Sequence, residues 1–174
     1  MVNLEKDFPG GISIAIRSSA KGLIVRDNKL LLIRCERGDK VYFTLPGGGQ
    51  DPQESLEQTV IRECLEETGF TVQVGSLAFV LEEIITDPES IAKYPDYCHH
   101  HMWYFRCALT EDVQQEITHL DLGQTGVCWV PLDEVKNTPL VPALVRDSIA
   151  EAFKNDNTRY LGTTFYEKPV ISGD

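Results

Sequence analysis

The apolar positions of this chain recur every second residue over most of its length and every third or fourth residue in two places, so strands should outnumber helices. Ile12 to Arg17 alternates apolar residues with small or polar ones, and Gly22 to Val25 and Leu30 to Ile33 are apolar runs separated by Asp27-Asn28-Lys29. These predict three strands, the last two joined as a hairpin. Glu36 to Lys40 reads as a polar turn, and Tyr42 to Leu45 as a short strand that runs into Pro46-Gly47-Gly48-Gly49. Further on, Thr71 to Ile85 has strand composition, and Thr86 to Tyr97, polar and carrying Pro88 and Pro95, predicts a long loop. Met102 to Leu109 is an apolar and aromatic run expected to be a central strand; Glu111 to Gln124 is polar; Val127 to Val130 predicts a strand ending at Pro131. Leu132 to Val135 suggests a helical turn. A second helix is predicted at about 142–154, opened by Pro142, with Leu144, Val145, Ile149 and Phe153 at helical intervals. The β-prone tail from Tyr160 to Val170 should pair within the domain or with a second subunit.

The stretch from Leu45 to Phe70 is the most structured in the chain. Ser55 and Gln58 fit a capping box, in which the serine accepts from the third amide and the glutamine reaches back to the cap amide. Gly69 supplies the left-handed residue that stops the helix. Between them Val60, Ile61, Cys64 and Leu65 fall on an arc of about 140° that should be buried. Glu63, Glu66 and Glu67 stand at i, i+3 and i+4, so one helical face gathers three carboxylates that repel by a few tenths of a kcal/mol per pair. Before the helix, the glycines let backbone approach a ligand or metal, and carbonyl oxygens in such a segment suit hard cations.

Gly48, Glu54, Arg62, Glu63, Cys64, Glu66, Glu67, Gly69 and Phe70 match the pattern G-x5-E-x7-R-E-U-x-E-E-x-G-U, where U is a bulky apolar residue. On these residues the chain resembles the Nudix hydrolases. Cys64 is smaller than the usual aliphatic, but cysteine behaves as a small buried hydrophobe. The literal residues of the pattern would meet by chance on the order of once in a million at ordinary composition.

The resemblance implies an α/β fold, the Nudix α/β/α sandwich with a mixed central sheet, over a single domain spanning 1–174 with its signature at 48–70. It implies metal-dependent hydrolysis of a nucleoside diphosphate linked to another group, with water attacking phosphorus and Mg²⁺ or Mn²⁺ as cofactor. Glu63 and Glu67 would bind metal directly, Glu66 the metal or its water, and the Gly47 carbonyl would complete the shell. Arg62, four residues before Glu66, would hold that carboxylate through a charge-assisted pair. Glu54 would brace the loop or meet a water beyond the metal's own ligands. Family members use basic residues upstream of the signature on the substrate's phosphates, which makes Arg34 and Arg37 candidates. They also carry a further acid before a late strand, for which Glu116 and Asp121 are available. The general base is then Glu63 or one of those two acids. A domain of this fold that senses a nucleotide without hydrolysing it is the alternative.

Charge and cysteine usage narrow the setting. With 16 Lys and Arg against 27 Asp and Glu, the formal charge of −11 argues against a nucleic-acid or anionic-membrane partner, which would need clustered cations. It leaves a phosphate substrate open, because a bound divalent ion reverses the local field. Five cysteines without a C-x-x-C pair, and a start that lacks a basic and apolar leader, predict a reduced, cytoplasmic protein, and the expected assembly is a monomer or a homodimer. Cys98-His99-His100-His101 raises the question of zinc, but in a strand His99 and His101 share a face that His100 leaves, and no second cluster has zinc-like spacing. His101 is instead a candidate for lining the substrate cleft. Glu82 and Glu83 are candidates for a fourth carboxylate or simply charges at a strand end.

Overall fold

A computed structural model describes Gly11 and residues 13–167. Strand β1 (Arg17–Arg26) turns through Asp27 and Asn28, both with positive φ (49° and 59°), into β2 (Lys29–Arg37). Two consecutive left-handed residues make the turn whose twist matches a two-residue hairpin, and Asp and Asn tolerate that conformation. The two strands pair only at Val25–Leu30 and Arg26–Lys29 before diverging. From there β2 joins β3 (Lys40–Thr44) and β7 (Gln124–Pro131) in an antiparallel group. The other half of β1 pairs with the short strand β4 (Gly47–Gly49) on one side and, in parallel, with β6 (His99–Leu109) on the other. Beyond β6 lie β5 (Val72–Ile85), antiparallel, and β8 (Arg159–Tyr166), parallel to β5 at the edge.

Alternation along β6 divides the core into two layers. Met102 and Tyr104 face a cluster completed by Phe79, Leu81 and Val145, Ile149 and Ala152 of helix α3 (Ala143–Ala152). Trp103 and Phe105 face the opposite cluster, with Ala20, Ile24 and Val60 and Cys64 of helix α1 (Leu56–Thr68). A mixed sheet between helices results, as expected.

Several elements differ from the sequence expectation. Residues 13–16 are not extended into a ladder and Ile16 is 57% exposed, so the strand begins at Arg17; Ile12 lies outside the described residues. The apparent gap between two early strands is bridged because Ser19 to Lys21 pairs on both sides. The glycine segment is itself a strand. Within 86–97 a short helix, α2 (Pro88–Lys93), forms where Asp87 accepts from the Ser90 amide and Pro88 occupies the first turn, and a 3-10 turn follows at Pro95–Tyr97. The prolines that suggested a loop act as helix openers. In α3, Leu144 and Phe153 are 43% and 39% exposed, and Ala152 takes the buried position in their place. The tail pairs within the domain, on β5, with 168–170 outside the described residues.

Candidate active site

Helix α1 has the expected ends: Ser55 accepts from the Gln58 amide at 3.2 Å, Gln58 accepts from the Ser55 amide at 2.8 Å, and Gly69 closes it at φ 71°. Its buried arc is rotated from the expected one. Ile61 is 38% exposed and Leu65 half-buried, whereas Thr59, Val60, Cys64, Glu67 and Thr68 are buried. At 100° per residue Glu67 lies about 20° from Val60, so it belongs to the core side of the acidic face and Glu66 to its outer side.

That position decides the state of Glu67, which is 2% exposed. One carboxylate oxygen accepts from the Gly47 amide at 2.8 Å, and the other accepts from the Gln124 side-chain amide. Burial still pushes its carboxyl above the usual range, against the pull of Lys21 and these two donors. Lys21 donates to the Gly47 carbonyl, so an ammonium already stands where the family pattern puts a cation. The neighbouring Gly48 has no side chain for a steric reason: a Cβ there would fall on the Glu63 carboxyl group.

Arg62 organises the other acids. Its Nε and Nη2 donate to the two oxygens of Glu54, each at 2.9 Å, while Nη1 donates to Glu63 at 2.7 Å and Glu66 at 3.3 Å. Nη2 also donates to the Gly49 carbonyl at 3.1 Å, tying the helix to β4. The fork on Glu54, assisted by the Asp51 amide and the Thr59 hydroxyl, holds that carboxyl down at about 2. The guanidinium is correspondingly held further in its charged form.

Arg62, Glu54, Glu63 and Glu66 are thus one hydrogen-bonded group, and Glu67 with Gly47 forms a second, joined to it through β4, whose Gly49 carbonyl Arg62 engages. The remaining candidates stand on other elements. Arg34 pairs with Glu36 and donates to Thr125 at 2.8 Å, and Arg37 stands opposite Lys40 at the β2–β3 turn. Glu116 is exposed on a segment laid over the end of α1, where the Gln115 amide donates to Gly69 and the Thr118 and His119 amides to Glu66. Asp121, also exposed, begins the turn into Gln124, the residue that holds Glu67. His101 contacts Glu82, not the helical acids. Glu83 is on the opposite face, its carboxyl raised by burial and accepting from Tyr166 at 2.8 Å. Lys21 and Gln124 were not foreseen. A lysine between Ala20 and Gly22 in a strand with an apolar face was the available signal for the first; for the second there was none.

The oxygen donors present fit a hard divalent cation. Three carboxylates and one backbone carbonyl are the ligand chemistry of Mg²⁺ or Mn²⁺, and the Lys21 ammonium marks the same spot as favourable for positive charge.

The family model for the NUDIX domain matches residues 16–151. The chain belongs to the Nudix family. It is 43% identical over 68 residues to an ADP-ribose pyrophosphatase of Methanocaldococcus jannaschii, covering 38% of this chain and 40% of that protein. It is 32% identical to a putative mutator protein MutT4 of Mycobacterium tuberculosis, covering 68% of this chain and 47% of that one, and 32% identical to a MutT-like protein of Streptomyces ambofaciens, covering 67% and 65%. The chain therefore spans 40% to 65% of the lengths of these relatives. Among solved structures, a MutT protein from Bacillus halodurans superposes with a TM-score of 0.63 at 24% identity, over 86% of this chain and 90% of that one. A UDP-X diphosphatase does so with a TM-score of 0.62 at 18% identity, over 92% and 72%. These likenesses establish the α/β/α sandwich.

Proposed function

We propose that this protein hydrolyses the diphosphate bond of a nucleoside diphosphate linked to a further group, using Mg²⁺ or Mn²⁺. The observation that carries this reading is the single network through which Arg62 positions Glu54, Glu63 and Glu66 beside Gly47 and Glu67. The names of the Methanocaldococcus relative and of the UDP-X diphosphatase support the substrate class.

In this reading Glu63, Glu66, Glu67 and the Gly47 carbonyl hold the cation. When bound, it supplies charge that neutralises the diphosphate oxygens and makes a water molecule more acidic. Arg62 orients Glu63 and Glu66, and Glu54 keeps Arg62 in place. Gln124 and the Gly47 amide orient Glu67 so that its charge is available once the cation offsets its burial. Water attacks phosphorus; Glu63, Glu116 or Asp121 accepts its proton. Arg34 and Arg37 contact phosphate oxygens of the bound substrate. The protein acts in the cytoplasm.

A panel of nucleoside diphosphate sugars, ADP-ribose, dinucleoside polyphosphates and modified nucleoside triphosphates tests this with Mg²⁺ present, by phosphate release with and without alkaline phosphatase. Diphosphate cleavage of at least one class, with ¹⁸O from water recovered in a phosphate product, is the expected result. Binding of a nucleotide with no phosphate release over hours would favour a sensing role instead.

A further inference from the structure

Two strands away from the glycine segment the main sheet carries a second constellation of ligating groups. Across the sheet, Ser18 of β1 faces His101 of β6, His101 faces Glu82 of β5, and Glu82 faces Thr163 of β8. Alternation puts His99 and His101 on the same side as Trp103, the side covered by α1, while His100 points to the other side. Glu82 Oε1 lies 2.9 Å from His99 Nε2 and 3.3 Å from His101 Nε2. Among the described residues this is the group of three whose ligand atoms all lie within 4.8 Å of one another.

Two of the three donor separations are close to what a single small ion requires. Ligands about 2.0–2.1 Å from a tetrahedral ion stand about 3.3–3.4 Å from each other, so the two Glu82–histidine separations need change by only a few tenths of an ångström. The second oxygen of Glu82 is held from outside the group by Thr163 and by Tyr160 at 3.3 Å, the kind of support that fixes a ligating carboxylate. Thr163 first, then His99, hold the Glu82 carboxyl down at about 2, so it is ionised at neutral pH. All three side chains are partly open to solvent, at 23%, 24% and 38%, which leaves an entry path and a free coordination position.

We propose that Glu82, His99 and His101 form a transition-metal site for Zn²⁺ or a similar ion, separate from the acidic group on α1. Two imidazoles and one carboxylate favour ions of this class, whereas the carboxylates and carbonyl near α1 suit Mg²⁺. The bound ion ties β6 to β5, and through Thr163 to the edge strand β8.

Zn²⁺ titration of the full chain by calorimetry, after chelation and in saturating Mg²⁺ to occupy the acids of α1, tests the site. Wild type is expected to bind one equivalent, and Zn²⁺ is expected to raise its melting temperature. The His99→Gln/His101→Gln double variant should bind at least 100-fold more weakly, and Glu82→Gln, which keeps shape, at least 10-fold more weakly. Glu67→Gln should bind Zn²⁺ as wild type does. If the double variant does not fold, as judged by circular dichroism, Glu82→Gln carries the test. Absence of Zn²⁺ binding by wild type, or affinity unchanged in Glu82→Gln, would overturn the proposal.

Discussion

At the N-terminal end of α1, Glu54 meets a guanidinium fork, a hydroxyl and an amide, and its carboxyl is held down at about 2. At the other end Glu67 meets two neutral donors and the charge of Lys21 in a buried setting, and its carboxyl is still pushed up by that burial. Both are glutamates of one signature, yet the first is stabilised as an anion by the protein itself and the second is left short of positive charge. The difference separates scaffold from site. An acid fully satisfied by the fold has little to offer a cation, whereas a buried acid with uncompensated charge gains most when one arrives.

The largest effect expected from this contrast is on turnover. Glu67→Gln should lower kcat by about 10² or more with a smaller change in KM, while Glu57→Gln, on the same helix but exposed and outside the signature, stays near wild type. Steady-state kinetics on the substrate identified by the panel would measure both, and equal losses would erase the distinction.

Next in size is the response to cation. A divalent ion that binds only the folded protein at a hundredfold excess over its Kd adds about 2.7 kcal/mol, or roughly 5 to 11 °C in melting temperature for a chain of this length. Glu66→Gln/Glu67→Gln should melt no lower than wild type in chelator, and should lose most of the Mg²⁺-induced rise at constant ionic strength. Arg62→Met strikes the scaffold instead. It strips charged donors from Glu54 and should cost about 2 kcal/mol in chelator, seen as a melting temperature lower by roughly 4 to 8 °C.

The smallest effect is the clearest in sign. In chelator, the low carboxyl of Glu54 contributes stability that is present above the unfolded value of 4.5 and lost as pH falls toward about 2. The raised carboxyl of Glu67 contributes stability that is present below 4.5 and lost as pH rises through its folded value. Melting curves should therefore show Glu67→Gln gaining on wild type as pH increases, and Glu54→Gln losing its disadvantage as pH falls. Parallel profiles for the two variants would mean that the two ends of the helix are electrostatically alike.

Much of this was legible in the sequence because it rests on local spacing. The capping box, the left-handed Gly69, and the placing of Arg62 among Glu63 and Glu66 are contacts within a few residues along one helix. What was hidden depends on partners far away in the chain. Helical spacing groups Glu63, Glu66 and Glu67 but cannot say which faces inward, because the sheet packed against α1 sets the buried arc. Lys21 reaches Gly47 from a different strand, and Gln124 reaches Glu67 across 57 positions. Likewise, the spacing of His99 and His101 predicted a shared face, but their meeting with Glu82 follows from the β5–β6 register, which no local pattern encodes.

The polar segment laid over the end of α1 has a consequence for how this region tolerates change in length. Surface connections ordinarily accept insertions, since few backbone groups depend on them. Here the Gln115 amide reaches the Gly69 carbonyl, the Thr118 and His119 amides reach that of Glu66, and the Gln114 side chain reaches that of Thr68. Four residues of the segment reach three residues at the end of α1, so its length is tied to that turn. Gly69 adds a steric limit, because a Cβ there would strike the Gln115 carbonyl. An added residue between Gln115 and Thr118 puts one anchor out of register and frees carbonyls in the turn that carries Glu66 and Glu67, whereas the same insertion at the exposed Asp39 leaves that turn untouched.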